Sequence, residues 1–355
     1  MKYMSVAAFS ASLLIASVAA AQEAETAPAP APAPAAEAPA PPAEAQAASA
    51  SAVQIGPPLP VEMRRTRGGA NVLAAMPRIA LAGYNIGAFM TTRVSARSGG
   101  SLLGNSMGAR ARMDFSLVGV DQTLLQRIAD AAHADLVAQL EAAGYEVSGA
   151  REVFADGRGA NMLAGGGTYE GEEPGTQSEM LVAGPSGVGA VAYQGVGRLA
   201  VGGGGGMGAI SHGLNAILVF PNLALDFAET SGSGNRSFGN RANVEGEARF
   251  GIDPMSKAEV FFSRSGRGFF DGWGTLQVTE ATTVADEFAS TEQTSQRSNT
   301  GMAVASAILG AGMQHSRRSG YEVTADPAAY EALALRAARG FNAALVAQIR
   351  AARGG

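Results

Sequence analysis

Apolar residues along this chain keep two different periods. Leu124, Leu125, Ile128, Ala132, Leu136, Val137 and Leu140 recur every three or four positions, the stripe that one face of an α-helix buries. Asp121 stands where an N-cap carboxylate accepts the first free N–H groups, and Gly144 where a left-handed C′ residue ends a helix. The spacing therefore predicts a helix over 121–143. A second stripe runs through Tyr330, Leu333, Ala337, Phe341, Leu345 and Ile349, with Asp326 as its cap and Pro327 at the first helical position.

Between these helices the period shortens to that of strands. Strand-like runs cover 78–84, 109–118, 145–153, 188–201, 216–220 and 223–227, with further strands at 244–250, 258–263 and 273–278. Pro221 lacks an N–H and predicts a bulge or an edge position, and the turn cluster at 231–235 predicts a hairpin. Gly- and Ser-rich stretches at 95–108 and 154–187 read as irregular chain, the second with room for one short helix. Two long amphipathic helices packed on a mixed sheet predict an α/β or α+β fold, a single domain over 71–353.

The first 70 residues carry neither period. Lys2, the apolar stretch 6–18 and the small residues Ala19, Ala20 and Ala21 before Gln22 make a secretory signal peptide over 1–21, too short in its apolar part to span a bilayer. Residues 22–70 begin with an Ala/Pro/Glu tract that cannot offset its ordering entropy and read as a disordered linker. These features predict export to the periplasm. The chain has no cysteine, which removes disulfides, thiol nucleophiles, Cys–zinc sites and a lipid-bearing lipobox together.

Charge and candidate chemistry add little. The formal net charge is −5, and Glu23, Glu25, Glu37 and Glu44 lie in the tail. The folded part is then near neutral with scattered arginines, which predicts no nucleic-acid partner. Gly203, Gly205 and Gly208 in and beside the glycine run 202–206 fit G-x-G-x-x-G, and Asp226 follows at about the expected distance of roughly 20 residues. The segment after Gly208 reads as strand, however, so the helix that must hold a pyrophosphate is missing and a loop is expected. His133, His212 and His315 fall in no metal-ligand spacing. The adjacent acids Glu172 and Glu173, and Asp286 and Glu287, read as solvated loop charges, and no G-x-S-x-G elbow occurs. The small apolar stretch 301–313 predicts a buried or interface helix, and Phe261, Phe262, Phe269, Phe270 and Trp273 core strands. No catalytic, cofactor-binding or metal-ligating residue is assigned, and no enzyme activity is expected.

The order of elements resembles the CsgG-like family, the curli-export pore proteins of the outer membrane and their periplasmic relatives. The resemblance lies in RIALAGYNI at 78–86, in the 121–143 helix ending in AAGYEV, in the Gly-rich stretch leading into the strand at 216–227, and in the terminal helix. It implies a cell-envelope protein that assembles as a homo-oligomer or with other envelope proteins and assists secretion. In the pore formers two segments become membrane hairpins; their counterparts here are 188–216 and 258–320, and the loop from Asn85 onward would line the constriction. Residues 188–201 alternate poorly and have Tyr193 as their one aromatic, where a barrel strand needs about 9–11 alternating residues. The expectation is a periplasmic or peripherally outer-membrane-associated relative; the alternatives are a monomeric ligand-binding module and a hydrolase.

Overall fold

The computed structural model describes residues 59–67, 72–97, 110–155, 169–172, 179–191, 205–234, 242–266, 270–285, 288–298 and 316–354. In chain order the strands and helices are β1 (Val61–Arg67), β2 (Arg78–Leu81), β3 (Asn85–Phe89), β4 (Thr91–Arg97), β5 (Arg110–Val118), α1 (Gln122–Ala142), β6 (Val147–Ser148), α2 (Ala150–Val153), β7 (Tyr169–Glu172) and β8 (Glu179–Ala183). There follow α3 (Gly205–Leu214), β9 (Ala216–Gly234), β10 (Ala242–Ile252), β11 (Lys257–Phe262), β12 (Gly272–Val278), β13 (Thr282–Ala285), β14 (Ala289–Ser298), β15 (Ser316–Ala325) and α4 (Pro327–Ala352). The fold is α+β, with one large mixed sheet and one small one.

The long strand β9 organises the larger sheet. Along one side it pairs in parallel with β2 and then β3; along the other it pairs antiparallel with β11 and then β10. The start of β9, AILVF, is apolar at every position because both of its faces are covered. Ile217 and Val219 join the core that includes α1 and α4, whereas Ala216, Leu218 and Phe220 pack with α2 and α3. Pro221 is neither at a bulge nor at an edge. Its β11 register is unbroken, and on the other side β2 stops at Val219 and β3 starts at Asn222, so the missing N–H falls opposite an interruption.

The two long helices form as their caps dictate. Asp121 accepts from the Leu124 N–H at 2.7 Å, Asp326 from the Ala329 N–H at 2.8 Å, and Gly144 closes α1 at φ +84. A buried polar link joins them. The Tyr84 hydroxyl donates to Asn342 Oδ1 at 2.8 Å, and Asn342 Nδ2 donates to Ala132 O at 3.0 Å and Asp135 Oδ2 at 2.8 Å. Among apolar neighbours each of these bonds fixes the helix pair in one register.

Several elements differ from the sequence expectation. β1 lies upstream of Asn71, within the stretch read as linker. β1 pairs with β12 from Val61↔Val278 onward, and Gln348 donates to Val61 O at 2.8 Å. Residues 145–153 hold only a two-residue strand before Gly149 starts the single turn of α2. The stretch 154–187, expected to be irregular, supplies β7 and β8, and Met180, Val182 and Ala183 of β8 are fully buried. Residues 205–214, expected as a glycine loop passing into strand after Gly208, form α3 despite four glycines, because burying Met207 and Ile210 outweighs weak helix propensity. Among its described residues, 188–216 holds α3. The range 258–320 holds two antiparallel pairs, β11 with β12 in the large sheet and β14 with the start of β15 in the small one.

Candidate functional site

Two hairpins make the small sheet. β4 and β5 pair antiparallel from Thr91↔Ser116 to Arg97↔Arg110, and β14 and β15 from Ala289↔Ala325 to Ser298↔Arg317. β5 and β15 then pair in parallel, Arg110↔Ser316 to Val118↔Thr324, so both hairpins point the same way and the order is β14-β15-β5-β4. The base of this sheet is tied to the large one. Leu117 N donates to Met90 O at 2.8 Å, Met90 N to Glu179 O at 2.8 Å, and Glu179 N to Thr91 Oγ1 at 2.8 Å. Phe115, Leu117 and Val323 are buried there, and the Phe115 ring stacks on Tyr321 with centroids 5.1 Å apart.

Asp114, whose side chain alternates away from Phe115, gathers three guanidinium groups. Its Oδ1 accepts from Arg93 Nε at 2.8 Å and Arg112 Nε at 2.8 Å, and its Oδ2 from Arg318 Nε at 2.9 Å. Burial pushes the Asp114 carboxyl up, but the bonds and charges from Arg112, Arg93 and Arg318 outweigh it and hold the group below its ordinary value. Three cations on one anion leave an excess of positive charge. Along the backbone, Arg97 pairs with Arg110 and Arg297 with Arg318. Residues 93–97, 110–114, 295–298 and 316–320 hold seven arginines and a single acid, Asp114. Arg93, Arg112 and Arg318, scattered in sequence, are thus gathered on one carboxylate in the fold, which corrects the expectation that the arginines form no cluster.

A second site lies where the two sheets meet. Asp226 of β9 accepts from the Phe227 N–H at 2.7 Å and the Ala228 N–H at 3.2 Å, and from the hydroxyl of Thr92 on β4. Burial, joined by the charge of Asp253, pushes its carboxyl up to about 6 against those bonds. Burial also raises Asp253, which accepts from the Met255 N–H at 2.7 Å. The phenol of Tyr330 is held above its usual range by burial and by Asp226. Asp226, Asp253, Arg249, Gly251, Thr282 and Thr283 line a cavity of about 130 Å³. That is well under the roughly 300–1,000 Å³ of a small-molecule pocket. Gly251 permits the close passage of β13, since a Cβ there would stand 2.9 Å from Thr282 O.

Residues singled out in the sequence mostly serve packing. His133 meets Tyr84 edge-on at 6.2 Å, and burial lowers its pKa against the charge of Asp130. His212 is exposed on α3, and His315 lies outside the described residues. Gly205 and Gly208 do lie in a helix, while Gly203 is outside the described residues. Asp226 is ten positions along β9 from Ala216. That separation is about 33 Å of extended chain at about 3.3 Å per residue, so the nucleotide geometry is not assembled. Glu172 lies on β7; Glu173, Asp286 and Glu287, and the stretch 301–313, are outside the described residues. Phe261 packs on Phe270 at 4.5 Å and on Phe220 at 5.9 Å, as expected of core strands. Asn85 lines no opening: it is fully buried and donates to Val191 O at 2.8 Å and Asn222 Oδ1 at 2.6 Å.

Sequence reasoning missed the arginine cluster and the Asp226–Asp253 pair. Their only signals were Arg-rich strand ends and an acid in an apolar run. Among the described residues no group of three or more metal-ligating side chains occurs, and no helix is long and apolar enough to cross a membrane. No protein-family model, no curated protein and no solved structure matches the chain.

Proposed function

We propose that this chain is a non-enzymatic envelope protein of CsgG-like type, working in the periplasm against the outer membrane as an assembly of copies. The observation that carries the proposal is the two-hairpin sheet: two hairpins, parallel at their join, extend in one direction from an α+β body. Its outer strands β4 and β14 have no partner on their outer sides among the described residues, and Ser290, Thr291, Glu292, Gln293, Thr294 and Ser295 of β14 are exposed. An open edge of this kind is a template for another chain. Composition favours peripheral attachment over a membrane wall. β14 reads ASTEQTSQRS, which offers no apolar face after Ala289, whereas a barrel strand presents alternating apolar residues to lipid. The signal-like segment 1–21 supports delivery to that compartment. The cavity beside Asp226 is too small to favour a ligand-binding module.

Cell fractionation with sizing tests the proposal. The full chain is expected in the outer-membrane fraction as oligomers released by high salt. Proline at Glu292 or Gln293, neighbours whose N–H groups point to opposite sides of β14, is expected at one position to yield folded monomers. A salt-independent soluble monomer in the unmodified protein would remove the proposal, and so would a cytoplasmic location.

A further inference from the structure

We propose that the seam between the two sheets is a proton-operated tie. Protonated, the Asp226 side chain docks the hairpin sheet on the large sheet; ionised, it loosens that sheet while the body stays folded. Asp226 is the first residue of β9 beyond its last β3 partner, the Ala88↔Leu225 pair. β3 runs on through Met90 into β4, so Thr92 stands on the small sheet just past the crossing. From there the Thr92 hydroxyl bonds the Asp226 carboxyl, and one side chain joins β9 to β4. On the other side of β9, β10 carries one extra residue, since Ala248 pairs with Ala228 but Gly251 with Asp226. The cavity lies at this bulge, lined by Arg249 and Gly251, and is large enough to admit water to a charge formed there.

The groups around the carboxyl disfavour its charge. Asp253, on the turn after β10, adds a like charge, and Tyr330 of α4 is a buried phenol held above its usual range. Arg249 of β10 also lines the cavity, and it is engaged with Glu247 at 3.2 Å. β13 offers the uncharged Thr282 and Thr283, and β3 ends in the uncharged Ala88 and Phe89. Arg93 and Asp114 lie one row beyond the Thr92↔Phe115 pair and alternate to the opposite face of the small sheet. A protonated Asp226 keeps its bonds. Its Oδ1 still accepts from the Phe227 and Ala228 N–H groups, and the Thr92 hydroxyl turns from donor to acceptor. Ionisation instead leaves a buried charge beside Asp253, and opening the seam to water relieves it.

The proton is held up to about 6 in the docked seam, against an ordinary value of 3.8 once the carboxyl meets water. The tie therefore contributes fully below about pH 4 and is lost as pH rises to about 6. Those two values make the open seam about tenfold more populated at pH 7.5 than at pH 5.

Amide exchange of the full chain at pH 5.0 and 7.5, corrected for the intrinsic rate at each pH, tests this. Residues 91–95 and 113–118 are expected to exchange about tenfold faster, or more, than the buried turns of α1 and α4 at both values. Their opening is expected to rise about tenfold between the two. Asp226→Asn is expected to abolish that rise and to leave the seam protected at pH 7.5. It keeps His133, His212 and His315, so a rise that survives in it belongs to another group and overturns the inference. Two further variants move the midpoint in opposite directions and keep the test decisive if Asp226→Asn does not fold. Thr92→Val removes a bond that favours the charged form and is expected to raise it. Asp253→Asn removes a like charge and is expected to lower it. An unshifted midpoint in either overturns the inference. So does exchange of the seam at the same opening free energy as α1 and α4, which would leave only global unfolding. The readout needs neither partner nor membrane, so it is decided separately from the envelope reading.

Discussion

The start of β9 and the hairpin end of β5 are both strands in the middle of a sheet, and they are held by opposite means. Residues 216–220 are buried on both faces, so any apolar side chain of suitable size satisfies them and a polar one does not. β5 buries its large side chains, Phe115 and Leu117, at its base; farther out only the small Ala111 is buried, and Asp114 is bound to arginines on three strands. Burial is non-directional and large, whereas an ion cluster at a surface is directional and small. The body is therefore expected to be stable and tolerant, and the hairpin sheet weakly held but specific in register.

Three measurements press on that comparison. Phe341 of α4 is fully buried in the core, so Phe341→Ala is expected to cost about 3–5 kcal/mol in denaturant unfolding. A loss under about 1 kcal/mol there would mean that the helix layer does not carry the body. The seam between the sheets behaves differently. Asp226 is raised in the fold to about 6, so the native state binds its proton more tightly than the unfolded chain does. Its contribution to stability is full below the unfolded value near pH 4 and is lost as pH rises to about 6. Asp226→Asn, which keeps an oxygen for the Phe227 and Ala228 N–H groups, is expected to raise stability at pH 7.5 by about 1–3 kcal/mol and to flatten this pH dependence. A less stable variant at that pH would show that the ionised carboxylate is needed at the seam.

The smallest effect is expected in the hairpin sheet. Asp114 is held below its ordinary value, so its contribution is present above the unfolded value near 3.8 and is lost as pH falls through the lower folded one. Because the cluster is partly solvated, Asp114→Asn is expected to cost about 1 kcal/mol or less. Amide exchange should rise in residues 110–118 and 316–325 while α1 and α4 stay protected. Global destabilisation as large as that of Phe341→Ala would erase the contrast between the two regions.

Much of the body was legible along the chain. Asp121, Gly144, Asp326 and Pro327 mark helix ends by their own backbone chemistry, and α1 and α4 begin and end beside them. The apolar run of β9 was equally plain. The misses share one cause, that the deciding contacts are remote. A glycine-rich segment becomes α3 only because Met207 and Ile210 find a buried face. β8 lies in a stretch dominated by glycine turn signals, and β3 and β7 complete it by backbone pairing, which leaves no side-chain signature. β1 was masked by the polar residues of VEMRRTR, although Val61 meets Val278 more than 200 positions away.

The candidate site shows the same division more sharply. Asp114 and Arg112 are two residues apart and alternate to one face of β5, so that pair was within reach of the sequence. Arg318 comes from 204 positions farther on, and only the parallel pairing of β5 with β15 puts it on the same carboxylate. The sequence by itself determined helix ends, apolar stripes and the central strand, because caps and burial periods depend on neighbours within one or two turns. The tertiary structure alone decided strand partners, the gathering of scattered arginines and the proton affinity of Asp226. Charge and desolvation depend on distance in space, which spacing along the chain does not encode.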